Sequence, residues 1–164
     1  MSAADGYGRF LHLFRPWILD QCAGYPHLAP IVENAKIRRS GSIEHILAFS
    51  WGPKRKFLIC FAQNMTTGDS SSKVFAVEFS VGRYLTVDWL RSAARRDLPE
   101  GEAGVYDYGK GEIFYIQTEW GHDGQYELLE QGHTRDMLFA FGLDALIFAV
   151  HALEHESRVR EREQ

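Results

Sequence analysis

His151, Glu154 and His155 are the residues of this sequence whose types and spacing best fit reactive chemistry. Residues three and four positions apart lie on the same face of a helix, so the two imidazoles and the carboxylate would point to one side. Two imidazoles can bind zinc, and a neighbouring carboxylate can act as general base on a zinc-bound water. One of our two functional predictions is therefore a zinc-dependent hydrolase.

The five residues from 151 to 155 resemble the zinc-binding motif of the inverzincin metalloproteases. The resemblance implies that His151 and His155 bind the metal, that Glu154 is the base, and that a third ligand comes from farther along the chain. Nine residues follow His155, so this ligand would be Glu161 or Glu163, unless an upstream histidine replaces it. The alternative interpretation, which we prefer, is a solvated helix end, where the helix dipole alone favours a histidine.

Two further patterns are read as turns. Ser70-Ser-Ser-Lys73 resembles the Ser-x-x-Lys motif of penicillin-binding enzymes, but neither companion motif of those enzymes occurs. The stretch 104–110 has P-loop spacing, yet Gly111 occupies the position of the hydroxyl residue and a predicted strand follows. The sequence therefore predicts a polar turn at the first site and a β-hairpin at the second.

Basic and aromatic residues suggest a binding surface instead of an active site. Arg91, Arg95 and Arg96 occupy one short predicted helix, and further basic residues flank the predicted strand 43–51. If these groups meet in space, they form a positive patch that would attract an acidic protein surface. We also predict that the sheet edge and the loops at 66–72 and 121–124 present three aromatic residues to a protein partner, namely Trp51, Trp120 and Tyr126.

Composition narrows the class of protein. The net charge of −4 disfavours nucleic acid as a partner, and aromatic residues, at 13%, are abundant enough for a large core or an interface. Cys22 and Cys60 are too few for a disulfide framework and lie in apolar surroundings, which predicts buried, reduced thiols and a cytoplasmic location.

Hydrophobic periodicity predicts an α+β fold. Apolar residues at helical spacing indicate helices near the N-terminus, and alternating apolar residues indicate an antiparallel sheet of about five strands. The strands are expected at 43–51, 57–62, 75–81, 105–108 and 112–120, with a further one possible at 126–129. The almost uninterrupted apolar run 137–153 predicts a long C-terminal helix packed on one sheet face.

The chain is predicted to form a single domain, 1–164, with a charged helix end or tail at 156–164. The run 137–153 is shorter than a typical membrane span and contains Asp144, so we expect a core helix and no membrane association. Taken together, the sequence favours a small cytoplasmic protein-binding module, such as an immunity-type inhibitor or an adaptor subunit, without catalytic activity or a cofactor. The zinc-dependent hydrolase is the alternative, and the sequence leaves the oligomeric state open.

Overall fold

A computed structural model describes residues 1–52, 55–107, 109 and 111–163. Pro53, Lys54, Tyr108 and Lys110 lie outside these ranges. Parts of the two predicted turns near residues 53 and 110 are therefore outside the described residues. The helices are α1 (Ala3–Gln21), α2 (Ala29–Glu33), α3 (Val87–Asp97) and α4 (Gly132–Arg162). The strands are β1 (Lys36–Ser40), β2 (Ile43–Trp51), β3 (Arg55–Gln63), β4 (Ser72–Ser80), β5 (Glu102–Asp107) and β6 (Glu112–His122).

The six strands form one antiparallel sheet in the order β1-β2-β3-β4-β6-β5. The predicted α+β class, with N-terminal helices and a long C-terminal helix, is confirmed. The sheet has one strand more than the five that were predicted. β1 and β5 are its two edges.

Side-chain alternation places a row of phenylalanines on the sheet face that the helices cover. Phe49 and Phe57 are register partners on β2 and β3, and their rings stack with centroids 4.8 Å apart. Farther along, Phe61 of β3 faces Phe75 of β4 at 4.9 Å. All four rings are at most 3% exposed. Such pairs contribute about 0.5–1.5 kcal/mol each beyond the burial of their area.

Two local predictions of secondary structure are wrong. Lys36 and Arg38 were expected near the end of a helix, but α2 ends at Glu33 and these residues form β1. One side of an edge strand faces water, so its charged residues need not alternate with apolar ones. The segment Tyr126–Glu130 is a 3₁₀ helix and not a strand, because its three-residue repeat turns both Tyr126 and Leu129 into the core.

The helices begin and continue in different ways. Thr86 caps α3, and its hydroxyl accepts a hydrogen bond from the backbone N–H of Trp89. α4 begins at Gly132 without a side-chain cap. α1 continues through Pro16 to Gln21.

α4 is the long core helix that the sequence predicts, and its middle lies against α1. A Cβ atom added at Gly142 would overlap the ring of Phe14, so glycine allows the close approach of the two helices at this point. By length and composition, α4 is the one helix in the described part of the chain that could span a membrane. However, 61% of its apolar window is buried inside the molecule, as in the core helix of a globular domain.

The charged end of α4 is largely exposed, as predicted, but two ion pairs attach it to the rest of the molecule. Glu156 is 6% exposed and forms an ion pair with Arg55 of β3 at 3.0 Å. Arg55 also donates a hydrogen bond to the carbonyl oxygen of Ser80. Beyond Glu156, Glu163 pairs with Arg83 at 2.9 Å. These contacts hold the last turns of the helix against the end of the sheet.

Candidate functional site

Arg91 and Arg95 line a basic cleft beside the edge strand β5. They lie four residues apart on α3, and both are exposed. The cleft has a volume of about 410 Å³ and separates the second half of α3 from the edge strand β5, with Leu98, Pro99 and Ala103 among its walls. No carboxylate of the described residues forms an ion pair with either guanidinium. This cleft therefore offers two uncompensated positive charges beside a free strand edge.

The basic residues that flank β2 do not join those of α3 in one patch within the described part of the chain. Arg96 is turned to Asp97, with 3.0 Å between its Nε and the carboxylate. Arg55 is paired with Glu156, while the basic residues of β1 lie on the sheet edge opposite β5. Sequence proximity does not indicate which strand edge carries a residue. Of the three predicted arginines, only Arg91 and Arg95 share a cleft.

Two of the three predicted aromatic contact residues are buried. Trp120 is 6% exposed and Tyr126 is 9% exposed. Both rings pack edge-to-face with the ring of Tyr7, at centroid distances of 6.1 and 5.5 Å. Both rings belong to the core in this arrangement, and their role in binding a partner stays a prediction. Trp51 is half-buried at the end of β2, and its role in binding stays a prediction.

The hydroxyl of Tyr126 has a structural function. It donates a hydrogen bond of 2.6 Å to the carboxylate of Asp123. Burial, together with this bond, raises the pKa of Tyr126 to about 12. The same bond, together with the charge of Lys73, lowers the pKa of Asp123. The turn at 121–124 is thus tied to the domain by a negatively charged carboxylate.

The residues of the predicted zinc site differ in their surroundings. His155 stacks on Trp89 of α3, with ring centroids 4.0 Å apart and an interplanar angle of 6°. His151 is exposed, and Glu154 is half-buried. Within the described ranges, no three His, Cys, Asp or Glu side chains lie close enough to hold a metal ion. The described residues therefore show no third ligand beside His151 and His155, and the hydrolase stays the alternative prediction.

His155 is better explained as a packing residue. Burial against Trp89 lowers its pKa, and the nearby charges of Arg158 and Arg162 act in the same direction. A neutral imidazole can stack on an indole without the cost of desolvating a charge. The aromatic contact accounts for its position.

The sheet face without helices carries a second group of polar residues, which the sequence did not indicate. The carboxylate of Glu78 accepts hydrogen bonds from the hydroxyl of Tyr106 and, at 3.3 Å, from the thiol of Cys60. These residues line a hollow of about 390 Å³. Burial and the charge of Glu78 raise the pKa of Cys60 well above its ordinary value, so the thiol is protonated and a poor nucleophile. The predicted burial of Cys60 is confirmed.

The loop predicted to project at 66–72 is partly folded over this same face. The hydroxyl of Thr66 lies 3.1 Å from that of Tyr115, and Gln117 donates a hydrogen bond to Thr66. Gln117 also donates to the side chain of Asn64. The first residue of the loop is therefore bonded to the sheet, while residues 66–71 are exposed.

Lys73 and Tyr7 line a small hollow beside α1 that the sequence analysis missed. Lys73 was assigned to a polar turn, but it lies in β4 and is 8% exposed. The sequence signal that could have indicated its burial is its position directly before the apolar run 74–77. Its neighbours in space come from other elements and are not visible in the sequence.

Comparison of the chain with protein-family models, with curated proteins and with solved structures finds no match. The candidate sites are therefore argued from their own geometry.

Proposed function

We propose that this chain is a protein-binding module, without catalytic activity, that takes an extended acidic segment of a partner along β5. The observation that supports the proposal is the cleft in which Arg91 and Arg95 lie unpaired beside that edge strand. An extended segment can add a strand to an exposed sheet edge, where backbone hydrogen bonds contribute affinity and side-chain pockets contribute specificity.

The composition of the two sheet edges favours β5 as the docking edge. β1 has five residues, three of them basic, and its pairing with β2 is interrupted by a register shift after Arg38. Short length, positive charge and irregularity are features that protect an edge from strand addition. β5 has six residues in continuous register, and the four in its middle, from Ala103 to Tyr106, are uncharged. β5 therefore lacks the protection that β1 has.

Charge complementarity specifies the partner. The chain as a whole carries a charge of −4, so the two arginines form a local positive site on an acidic molecule. Carboxylates bind well to guanidinium groups because the planar fork can donate two parallel hydrogen bonds. Glu100 and Glu102 are exposed at the start of β5 and would repel an acid there. We therefore expect the acidic residues of the partner to lie opposite Arg91 and Arg95.

An immunity-type inhibitor or an adaptor subunit in the cytoplasm would use a module of this kind, and we retain both as the biological roles to test. The proposal does not involve the residues from His151 to His155.

Selection of random peptides on the whole protein tests the proposal. Peptides of about twelve residues, roughly twice the length of a typical strand, should be enriched in Asp and Glu. Their binding, measured by fluorescence polarisation, should weaken at least tenfold in the double variant Arg91→Glu/Arg95→Glu, which replaces attraction by repulsion. Amide hydrogen exchange should slow in β5 when the peptide binds.

The matched control is the double variant Lys36→Glu/Arg38→Glu, which reverses two exposed charges on the opposite edge. Peptide binding should be unchanged within about twofold, since these residues lie beyond the Debye length of about 10 Å at moderate salt. Selected peptides without acidic residues, or equal loss of binding in the two double variants, would refute the proposal.

A further inference from the structure

A hollow of about 210 Å³ lies beside the first turns of α1, far along the sheet from the cleft of the proposed partner site. It is smaller than the roughly 300–1,000 Å³ of sites for drug-sized ligands. It shares no lining residue with the α3–β5 cleft. Its polar lining comes from six different elements: Tyr7, Ser40, His45, Gln63, Lys73 and Tyr126.

Lys73 brings a poorly compensated positive charge to this hollow. The residue is 8% exposed, and its ammonium donates one hydrogen bond, of 3.0 Å, to the carbonyl oxygen of Ser70. An ammonium group has three donors. No carboxylate in the described part of the chain lies within 4.0 Å of it, although Asp123 acts on it from farther away. A buried charge without a close counter-charge is costly, and an anion in the hollow would remove that cost.

Tyr7 adds an unused hydrogen-bond donor. Its ring is fixed by stacking on Phe61, with centroids 4.3 Å apart and an interplanar angle of 8°. The residue is 7% exposed, yet its hydroxyl makes no hydrogen bond to any residue that the structure describes. The hydroxyl oxygen is not fully enclosed by protein atoms. Because Tyr7 lines the hollow, this oxygen opens into it.

We infer that this hollow binds a small organic monocarboxylate, held by the ammonium of Lys73 and the hydroxyl of Tyr7. The remaining wall is largely apolar and includes Ala3, Ile43 and Phe61, which suits a compact apolar body behind the carboxylate. A single cation limits the charge that the site can hold.

The neighbouring groups disfavour a doubly charged ligand such as a phosphate. Asp123 is held in its ionised form by Tyr126, whose hydrogen bond lowers the pKa of that carboxyl group. Burial and the proximity of Asp123 and Tyr126 raise the pKa of Tyr7, so its hydroxyl stays protonated and can donate. One ammonium, one neutral donor and one nearby negative charge therefore match a single carboxylate.

Calorimetric titration of the whole protein with benzoate, benzamide and inorganic phosphate tests the inference. Benzoate should bind at one saturable site. Benzamide has the same shape without the charge and should bind at least tenfold more weakly, as should phosphate. Absence of saturable benzoate binding up to about 10 mM, or tighter binding of phosphate or benzamide, would show that the assignment is wrong.

Two variants and one control locate the site. Lys73→Met should weaken benzoate binding at least tenfold, and Tyr7→Phe, which keeps the stacked ring, should weaken it about three- to tenfold. The control Lys56→Met removes an exposed lysine of β3 that does not line this hollow and should leave affinity unchanged. Equal affinity in wild type and both site variants would overturn the inference.

Thermal unfolding gives a second readout that does not depend on heat of binding. Benzoate should raise the melting temperature of the wild type and of Lys56→Met, but not that of Lys73→Met. Without ligand, Lys73→Met should be at least as stable as the wild type, because it removes a buried charge that has no close counter-charge. If Lys73→Met does not fold, that expectation has failed, and Tyr7→Phe still decides the location of the site.

Discussion

The ends of α3 and α4 look alike in the sequence but use their charges in opposite ways. Both are arginine-rich and would be interpreted as solvated helix ends. At α4, Glu156 and Glu163 each pair with an arginine of another element, and Arg160 lies over the ring of Tyr84 at 5.2 Å from its centre. At α3, Arg91 and Arg95 have no ion-pair partner among the described residues. The first end stabilises the fold, whereas the second is available to a partner.

This difference shows that a run of charges does not reveal whether it has an internal partner. The counter-charge of Glu156 is Arg55, which lies far away along the chain and reaches it because β3 begins beside α4. Arg91 and Arg95 line a cleft whose walls include Leu98 and Pro99 of the α3–β5 connection. Stability measurements can separate the two cases.

The largest effect is expected for Glu156→Ala. The change removes the counter-charge of Arg55, whose side chain is only 22% exposed. Breaking a buried pair typically costs 3–5 kcal/mol, and the partial exposure of Arg55 places this case at about 3 kcal/mol. Urea denaturation should show the loss in the free energy of unfolding.

Glu163→Ala is the matched control for Glu156→Ala. It breaks the pair with Arg83, whose side chain is 76% exposed, so the loss should stay below about 1 kcal/mol. Equal losses in the two variants would contradict the distinction between a buried and a solvated pair.

A smaller loss, of about 1–2 kcal/mol, is expected for Trp89→Ala. This change removes the stacked contact with His155 that joins α3 to α4. It also exposes the imidazole to water, so the pKa of His155 should rise toward its ordinary value. An NMR titration of the histidine signals measures this change, and an unchanged pKa would argue against burial as its cause.

Acid should weaken the α3–α4 contact by a still smaller amount. The folded state lowers the pKa of His155, so the unfolded state binds more protons between that value and about 6.5. The contribution of His155 to the free energy of unfolding is therefore complete above about pH 6.5, and it is lost as the pH falls through this window. The variant His155→Phe retains an aromatic ring and should lose this part of the pH dependence in urea titrations at pH 5 and pH 7.5.

The smallest effect is expected for Arg91→Ala and Arg95→Ala. Since neither guanidinium has an ion-pair partner among the described residues, the free energy of unfolding should change by no more than about 0.5 kcal/mol. A loss above 1 kcal/mol in either variant would mean that these arginines stabilise the fold, and the contrast with α4 would disappear.

Much of the fold follows from local patterns in the sequence. Alternation from Ile43 to Trp51 and the apolar run around Leu146 predict β2 and α4, because a two-residue period suits a strand and a long apolar surface suits a buried helix. β1 could not be predicted in the same way. Its basic residues are compatible with a helix end, and only pairing with β2 makes them a strand.

The candidate sites are much less visible in the sequence. Arg91 and Arg95 were recognised as a basic pair, since their spacing is local to one helix. Lys73 was not recognised, because its burial and the nearby hydroxyl of Tyr7 result from contacts between β4 and α1. His155 is a further case, since its stacking on Trp89 depends on a residue of another helix that local spacing does not indicate.

The sequence by itself determined the α+β class, the main strands and the long buried helix, because these depend on the periodicity of neighbouring residues. Only the tertiary structure decided which charges are paired, which aromatic rings are buried and which polar groups line a hollow. Those properties depend on atoms brought together from distant parts of the chain, and their free energies depend on burial and on distances that no local pattern encodes.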